Sequence, residues 1–178
     1  MIPKIIHYCW FGGNPLPELA QKCIASWKKY CPDYEIKEWN ETNFDLNCCD
    51  YVREAYEAKK WAFVSDCARF WILYHEGGVY FDTDVEVLKP IDAILEKGPF
   101  MGCEKTCSVA PGLGMAANPG LGMYKEMLDF YETKHFRKKN GTIDTTTIVQ
   151  YTTDLLKKHG WLPNREIQNV DGVMIYPT

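Results

Sequence analysis

The chain has 178 residues, enough for one domain with a real core and too few for several. Hydrophobic residues make up 46% and aromatics 14%, spread along the whole length, which excludes a disordered segment. Twenty basic residues against 24 acidic ones leave a net charge of −4 and no basic stripe, which excludes a nucleic-acid binder relying on bulk electrostatics.

The first residues, Met1-Ile2-Pro3-Lys4, lack the charged region and long apolar stretch of a secretory leader. Lys4 to Trp10 is an apolar, β-branched run and reads as a strand. Phe11 to Pro17 is a loop by its Gly and Pro content. Glu18 to Tyr30 carries apolar residues at 19, 20, 23, 24 and 27, the spacing of an amphipathic helix, which Pro32 stops. Tyr34 to Trp39 alternates at period two, as a strand does. This order so early in the chain predicts an α/β sheet.

A helix is expected from Cys49 onward, and a more apolar, more buried one over Trp61 to Glu76, ended by Gly77-Gly78. Val79-Tyr80-Phe81 is a short apolar strand leading into Asp82-Thr83-Asp84, and 85–88 continues extended to Pro90. Strands are expected near 100–104 and 113–117, helices over 121–137 and 145–159, and strand-like pieces at 166–169 and 173–176. The longest apolar run, Phe70 to Tyr74, is far shorter than the roughly 20 residues of a membrane span. The eight cysteines read as reduced, mostly buried thiols, and Cys103 with Cys107 lacks a second pair at zinc-finger spacing. Neighbouring Cys48 and Cys49 do not bridge each other without strain.

Three segments could carry chemistry. In the first, an apolar strand delivers Asp82 and Asp84 at its C-terminal end, where ligands sit in open α/β sheets. Two acids at this spacing can converge on a hard cation that keeps positions open for water and phosphate oxygens. They are equally the ordinary turn acids that follow many strands. The second is Ser65-Asp66-Cys67-Ala68-Arg69. Asp66 and Arg69 are helical neighbours at i and i+3, suited to sugar hydroxyls or phosphate, or to a plain surface ion pair. In the third, a strand ends at Trp10 and runs into Gly12-Gly13. That aromatic could stack on a nucleobase or belong to the core. His7 on the same strand reads as a satisfied core histidine. Gly112-Leu113-Gly114 lacks the third glycine of a dinucleotide fingerprint, and no hydrolase or P-loop motif occurs.

Taken in order and spacing, Ile2-Pro3-Lys4-Ile5-Ile6-His7 with Trp10 and Gly12, Ser65-Asp66-x-x-Arg69, and Gly77-Gly78-Val79-Tyr80-x-Asp82-x-Asp84 resemble one family. It is the DXD sugar-binding region shared by bacterial capsular-polysaccharide glycosyltransferases and yeast initiating mannosyltransferases. The set is also similar to the glucosylating domain of the large clostridial toxins. The resemblance is close over residues 2–90 and looser to about 130.

The resemblance implies a GT-A fold, an α/β domain with a mixed, mainly parallel sheet flanked by helices. It implies retaining transfer of a hexose from a UDP- or GDP-sugar to a glycan acceptor, with Mn²⁺ or Mg²⁺, in capsular or surface polysaccharide synthesis. By the same resemblance, Trp10 stacks on the base, and Asp66 and Arg69 hold the donor sugar. Tyr80 touches the donor, Asp82 contacts ribose, sugar and metal, and Asp84 ligates the metal directly. Asp66, Arg69, Asp82 and Asp84 are thus the expected catalytic set. The expected setting is the cytoplasm, with peripheral contact at the inner membrane face. One domain is expected over 1–178, ending before the His- or Ser- and Trp-bearing loop that closes such sites. A strand ending in D-x-D also occurs in haloacid-dehalogenase-type phosphatases, and a non-catalytic nucleotide-sugar-binding module is the third reading.

Overall fold

A computed structural model describes residues 1–104 and 108–178. Cys107, and with it the Cys103–Cys107 spacing, lies outside the described residues. The elements in chain order are β1 (Ile5–Cys9), α1 (Glu18–Tyr30), β2 (Glu35–Trp39), α2 (Asp50–Glu57), α3 (Trp61–His75) and β3 (Gly78–Tyr80). They continue with α4 (Asp92–Leu95), β4 (Phe100–Gly102), a 3₁₀ turn (Pro111–Leu113), β5 (Met115–Ala117), α5 (Gly122–Glu132), α6 (Ile148–Lys158), β6 (Gln168–Val170) and β7 (Val173–Tyr176).

Among the described residues, one seven-stranded mixed sheet runs β2-β1-β3-β5-β4-β7-β6. β1 pairs parallel with both β2 and β3, while β5 enters antiparallel between β3 and β4. α3 connects toward β3 and packs on β1, β3 and β5. Its buried face carries Val64, Ala68, Phe70, Ile72 and Leu73, joined by Tyr51 and Val52 of α2 and Tyr124 and Met127 of α5. On the opposite side of the sheet, α1 sets Cys23, Ile24 and Trp27 among Ile6, Tyr8, Val79 and Phe81. The short apolar β3 is buried at every residue because both faces are covered.

The Gly77-Gly78 entry to β3 is a steric requirement. Gly78 has φ +95°, and a Cβ there would lie 2.7 Å from the Ile5 carbonyl oxygen and 2.9 Å from His7 Nε2. His7 is fully buried. Trp39 Nε1 donates to its Nδ1 at 3.0 Å, so Nε2 carries the proton and donates to the Gly77 carbonyl at 3.0 Å. Burial lowers the imidazole pKa to about 4. The folded value lies below the unfolded one, so this contribution is fully present above about pH 6.5 and is lost as pH falls toward 4. Urea unfolding of the wild type and of His7→Gln at pH 7.5 and 4.5 measures it. The wild type should lose on the order of 2 kcal/mol more than the variant across that interval.

The segment after Asp84 bonds to side chains and turns rather than to a neighbouring strand. Val85 N–H closes a turn onto the Asp82 carbonyl at 3.1 Å. The next backbone groups go to α1 side chains: Trp27 Nε1 donates to the Val85 carbonyl at 2.8 Å, and Val87 N–H to Ser26 Oγ at 2.9 Å. Side chains thus take the place of a ladder and fix the path of the chain leaving the acidic turn. The expected strand at 100–104 is observed as β4, and the one at 113–117 starts later, as β5, because Pro111–Leu113 coils into the 3₁₀ turn beside Asp82.

Candidate active site

β1, β3 and α3 converge on a cleft of about 530 Å³. Its lining includes Trp10 after β1, Asp66 and Arg69 from α3, and Asp82 and Asp84 after β3. Five of the six residues singled out from the sequence therefore face one cavity. The sixth, Tyr80, is buried below it.

Arg69 organises the floor. Its side chain is 4% exposed. Nη2 donates to Asp66 Oδ1 at 2.9 Å, and Nε to the Ser65 carbonyl at 3.1 Å. The two terminal nitrogens each lie 3.2 Å from one oxygen of Asp82, the fork geometry that suits a carboxylate. The guanidinium also stands over the Tyr80 ring, 4.9 Å from its centroid, and the Tyr80 hydroxyl donates to Asp82 Oδ1 at 3.1 Å. One cation thus joins an acid from its own helix to an acid from the neighbouring strand.

Burial raises the Asp66 carboxyl pKa to about 6. Arg69 opposes this, Asp82 adds to it, and the backbone N–H of Ile148 at the start of α6 opposes it again. Burial also disfavours the guanidinium charge, but the surrounding acidic groups outweigh it and the Arg69 pKa is raised. Cys9 beneath them is a neutral thiol, its pKa raised to about 12 by burial.

The two acids of the D-x-D turn differ. Both oxygens of Asp82 already face Arg69 or Tyr80, and the Asp82 N–H donates to the Gly112 carbonyl at 3.0 Å. Asp84 is exposed at the mouth and, among the described residues, makes no hydrogen bond or ion pair. No cluster of three or more metal-ligating side chains occurs among the described residues. The protein therefore offers an oxygen-only pair, which suits a hard cation whose other positions are filled by phosphate oxygens and water.

The same cleft is partly lined by aromatic side chains. Trp10 Nε1 donates to the Asn14 carbonyl at 2.6 Å, which fixes the indole at the cleft edge. Trp61, the first residue of α3, forms a second panel that sequence reading treated only as a helix start. The signal for it lay in Gly12: a Cβ there would stand 2.6 Å from Trp61 Nε1, so the glycine admits the indole. Gly112 and the N-terminus of α6 are the other site features not anticipated. Both reach the acids from later in the chain, where no local motif marks them.

Comparison with known proteins gives a consistent picture. Residues 17–101 match the family model described as a glycosyltransferase sugar-binding region containing the DXD motif. Inositol phosphoceramide mannosyltransferase 1 of Schizosaccharomyces pombe is 32% identical over 111 residues, covering 56% of this chain and 33% of that protein. Mannosyl phosphorylinositol ceramide synthase CSH1 of Saccharomyces cerevisiae is 28% identical over 173 residues, covering 90% of this chain and 43% of that protein. The chain thus spans between a third and a half of the length of these two relatives. Among solved structures, PaToxG glycosyltransferase superposes with a TM-score of 0.65 at 19% identity, over 88% of this chain and 69% of that one. That likeness establishes the GT-A type fold. The D-x-D turn lies inside the segment, residues 17–101, that is similar to the glycosyltransferase sugar-binding region containing the DXD motif.

Proposed function

We propose that this chain carries the donor site of a retaining, metal-dependent hexosyltransferase, with Trp10, Asp66, Arg69, Tyr80, Asp82 and Asp84 as its working residues. The observation that carries the reading is the Asp66–Arg69–Asp82 relay at the C-terminal end of β3, opening into a cleft walled by Trp10 and Trp61. Indoles and a carboxylate turn lining one cleft suit a nucleoside diphosphate sugar, with the base against the indoles and the diphosphate toward the acids. Asp66 can accept from sugar hydroxyls while Arg69 holds its carboxylate in place. Fixing the ring this way favours in-line attack by the acceptor. Mn²⁺ or Mg²⁺, when bound, neutralises charge building on the leaving diphosphate, and Asp84 with Asp82 would hold it. The phosphatase reading needs Asp82 as a nucleophile, but both of its oxygens are engaged by Arg69 and Tyr80.

The acceptor is a hydroxyl-bearing glycan or glycolipid. The relatives' names favour an inositol phosphoceramide and a mannosyl donor, and a surface polysaccharide is the other class. No helix among the described residues is long and apolar enough to cross a membrane, and peripheral contact with one would bring a lipid acceptor within reach.

Calorimetric titration of GDP-mannose and UDP-glucose, each with Mn²⁺ and with EDTA, tests the donor site. One donor should bind at least about tenfold tighter with metal, and Asp84→Asn should erase that gain, since one anionic oxygen ligand is lost. Asp84 is exposed, so the variant should unfold within about 0.5 kcal/mol of the wild type. Metal-independent binding unaffected by Asp84→Asn would overturn the reading.

A further inference from the structure

On the side of α3 away from the acids, Cys67 meets Cys48 and Cys49 of the segment entering α2. All three side chains line one cleft. Cys67 is buried, while Cys48 and Cys49 are partly exposed and open on a cleft of about 180 Å³. Trp71, His75, Lys125 and Glu132 also line that cleft. None of these residues faces the donor cleft.

The three cysteines are not equivalent. Cys49 is the N-cap residue of α2 and shares its cleft with the thiols of Cys48 and Cys67. These thiol donors, Cys48 first and then Cys67, hold its pKa well below the usual thiol range. The N–H groups of Tyr51 and Val52 in the first turn add to this without making a close capping bond. The Cys67 thiol is pushed the other way by the same partners and by burial, so it stays protonated. A partly exposed thiol at a helix N-terminus, beside a buried one on the same cleft, is the arrangement of an attacking and a resolving thiol.

We propose that Cys49 is an oxidative modification site for hydroperoxides, with Cys67 as its resolving partner. The Cys49 thiolate attacks the terminal oxygen of the peroxide, the O–O bond breaks, and sulfenic acid forms as hydroxide or alkoxide leaves. The Cys67 sulfur then attacks the Cys49 sulfur. Its proton and the sulfenic hydroxyl depart as water, and a Cys49–Cys67 disulfide remains. Two thiols have lost two electrons, and one peroxide has taken them. The vicinal Cys48 is a poor resolver for Cys49 because a bridge between adjacent residues is strained. The new bond would tie the start of α2 to α3 one residue from Asp66.

Peptide mapping tests this on the whole chain. Folded protein is treated with one equivalent of hydrogen peroxide, blocked with N-ethylmaleimide after unfolding, and digested. The expected product is a peptide linking Cys49 to Cys67, at least tenfold more abundant than any other bridge, with Cys9, Cys23 and Cys31 still blocked as free thiols. In Cys67→Ser, dimedone should trap sulfenic acid at Cys49, and circular dichroism checks that the variant folds. Oxidation spread evenly over the cysteines, or a dominant bridge that omits Cys49, overturns the proposal without reference to the variant.

Discussion

Arg69→Met should destabilise the chain by about 3–5 kcal/mol near pH 8, the range for removing one partner of a buried ion pair. The reason is Asp66, which is 8% exposed and has Arg69 as its cationic partner at 2.9 Å. Methionine fills the space of the aliphatic stem but leaves a carboxylate in a low-dielectric site. Asp66 can escape that cost by taking up a proton, and burial already raises its pKa to about 6 with Arg69 in place. Without Arg69 it rises further. A carboxyl whose folded pKa exceeds its unfolded value loses stability as pH climbs between the two. The deficit of Arg69→Met should therefore shrink by at least about 1 kcal/mol from pH 8 to pH 5. Urea unfolding at both values reads this directly. Asp66→Asn added to Arg69→Met should restore part of the loss at pH 8 and remove the pH dependence of the deficit. A single variant within about 0.5 kcal/mol of wild type would mean that the pair is not structural. Arg69→Lys should not rescue donor binding, since one ammonium cannot span Asp66 and both oxygens of Asp82.

The same residue shows why part of the site is legible in the sequence. Asp66 and Arg69 share a helix, so their spacing alone places them on one side of it. Asp82 and Asp84 follow a strand whose apolar run and glycine entry mark its end. Local periodicity also gave α1 its bounds of Glu18 to Tyr30, and α3 its start at Trp61. Both helices have amphipathic or apolar patterns uninterrupted by glycine or proline. Partners that come from far along the chain leave no such mark. The segment 85–88 reads as extended, but its backbone groups bond to Trp27 and Ser26, 58 and 61 positions away, and no pattern within it says so. The helix expected over 145–159 exists as Ile148–Lys158, but that its first N–H faces Asp66 depends on packing across more than 80 residues. Trp61 is visible as a helix start, and its place on the cleft wall follows only from the close approach of Gly12.

Gly112→Ala addresses the part that no motif marked. The triplet Gly112-Leu113-Gly114 looks like an incomplete nucleotide fingerprint, but Gly112 acts through its lack of a side chain. A Cβ on its backbone would lie 1.9 Å from Asp82 Oδ2 and 3.0 Å from Arg69 Nη1. The backbones cannot simply separate, because Asp82 N–H donates to the Gly112 carbonyl at 3.0 Å and Leu113 N–H closes the 3₁₀ turn onto Ala110. Asp82 must instead rotate away, losing its contacts with Arg69 and the Tyr80 hydroxyl. The cost in stability should be about 1–3 kcal/mol, the usual price of overpacking. Donor binding should fall far more than stability suggests, by roughly 10–100-fold, because a carboxylate displaced by an ångström no longer meets its ligand. Gly122→Ala is the control: it begins α5, has no neighbour within 4 Å of the added carbon, and lacks a positive φ. That change should leave donor binding intact and be neutral or stabilising by up to about 1 kcal/mol. Equal effects of the two substitutions on donor affinity would show that Gly112 serves the turn rather than the carboxylate. A selective loss in Gly112→Ala would place the 3₁₀ turn, which is distant in sequence from every recognisable motif, among the parts that hold Asp82 in its working orientation.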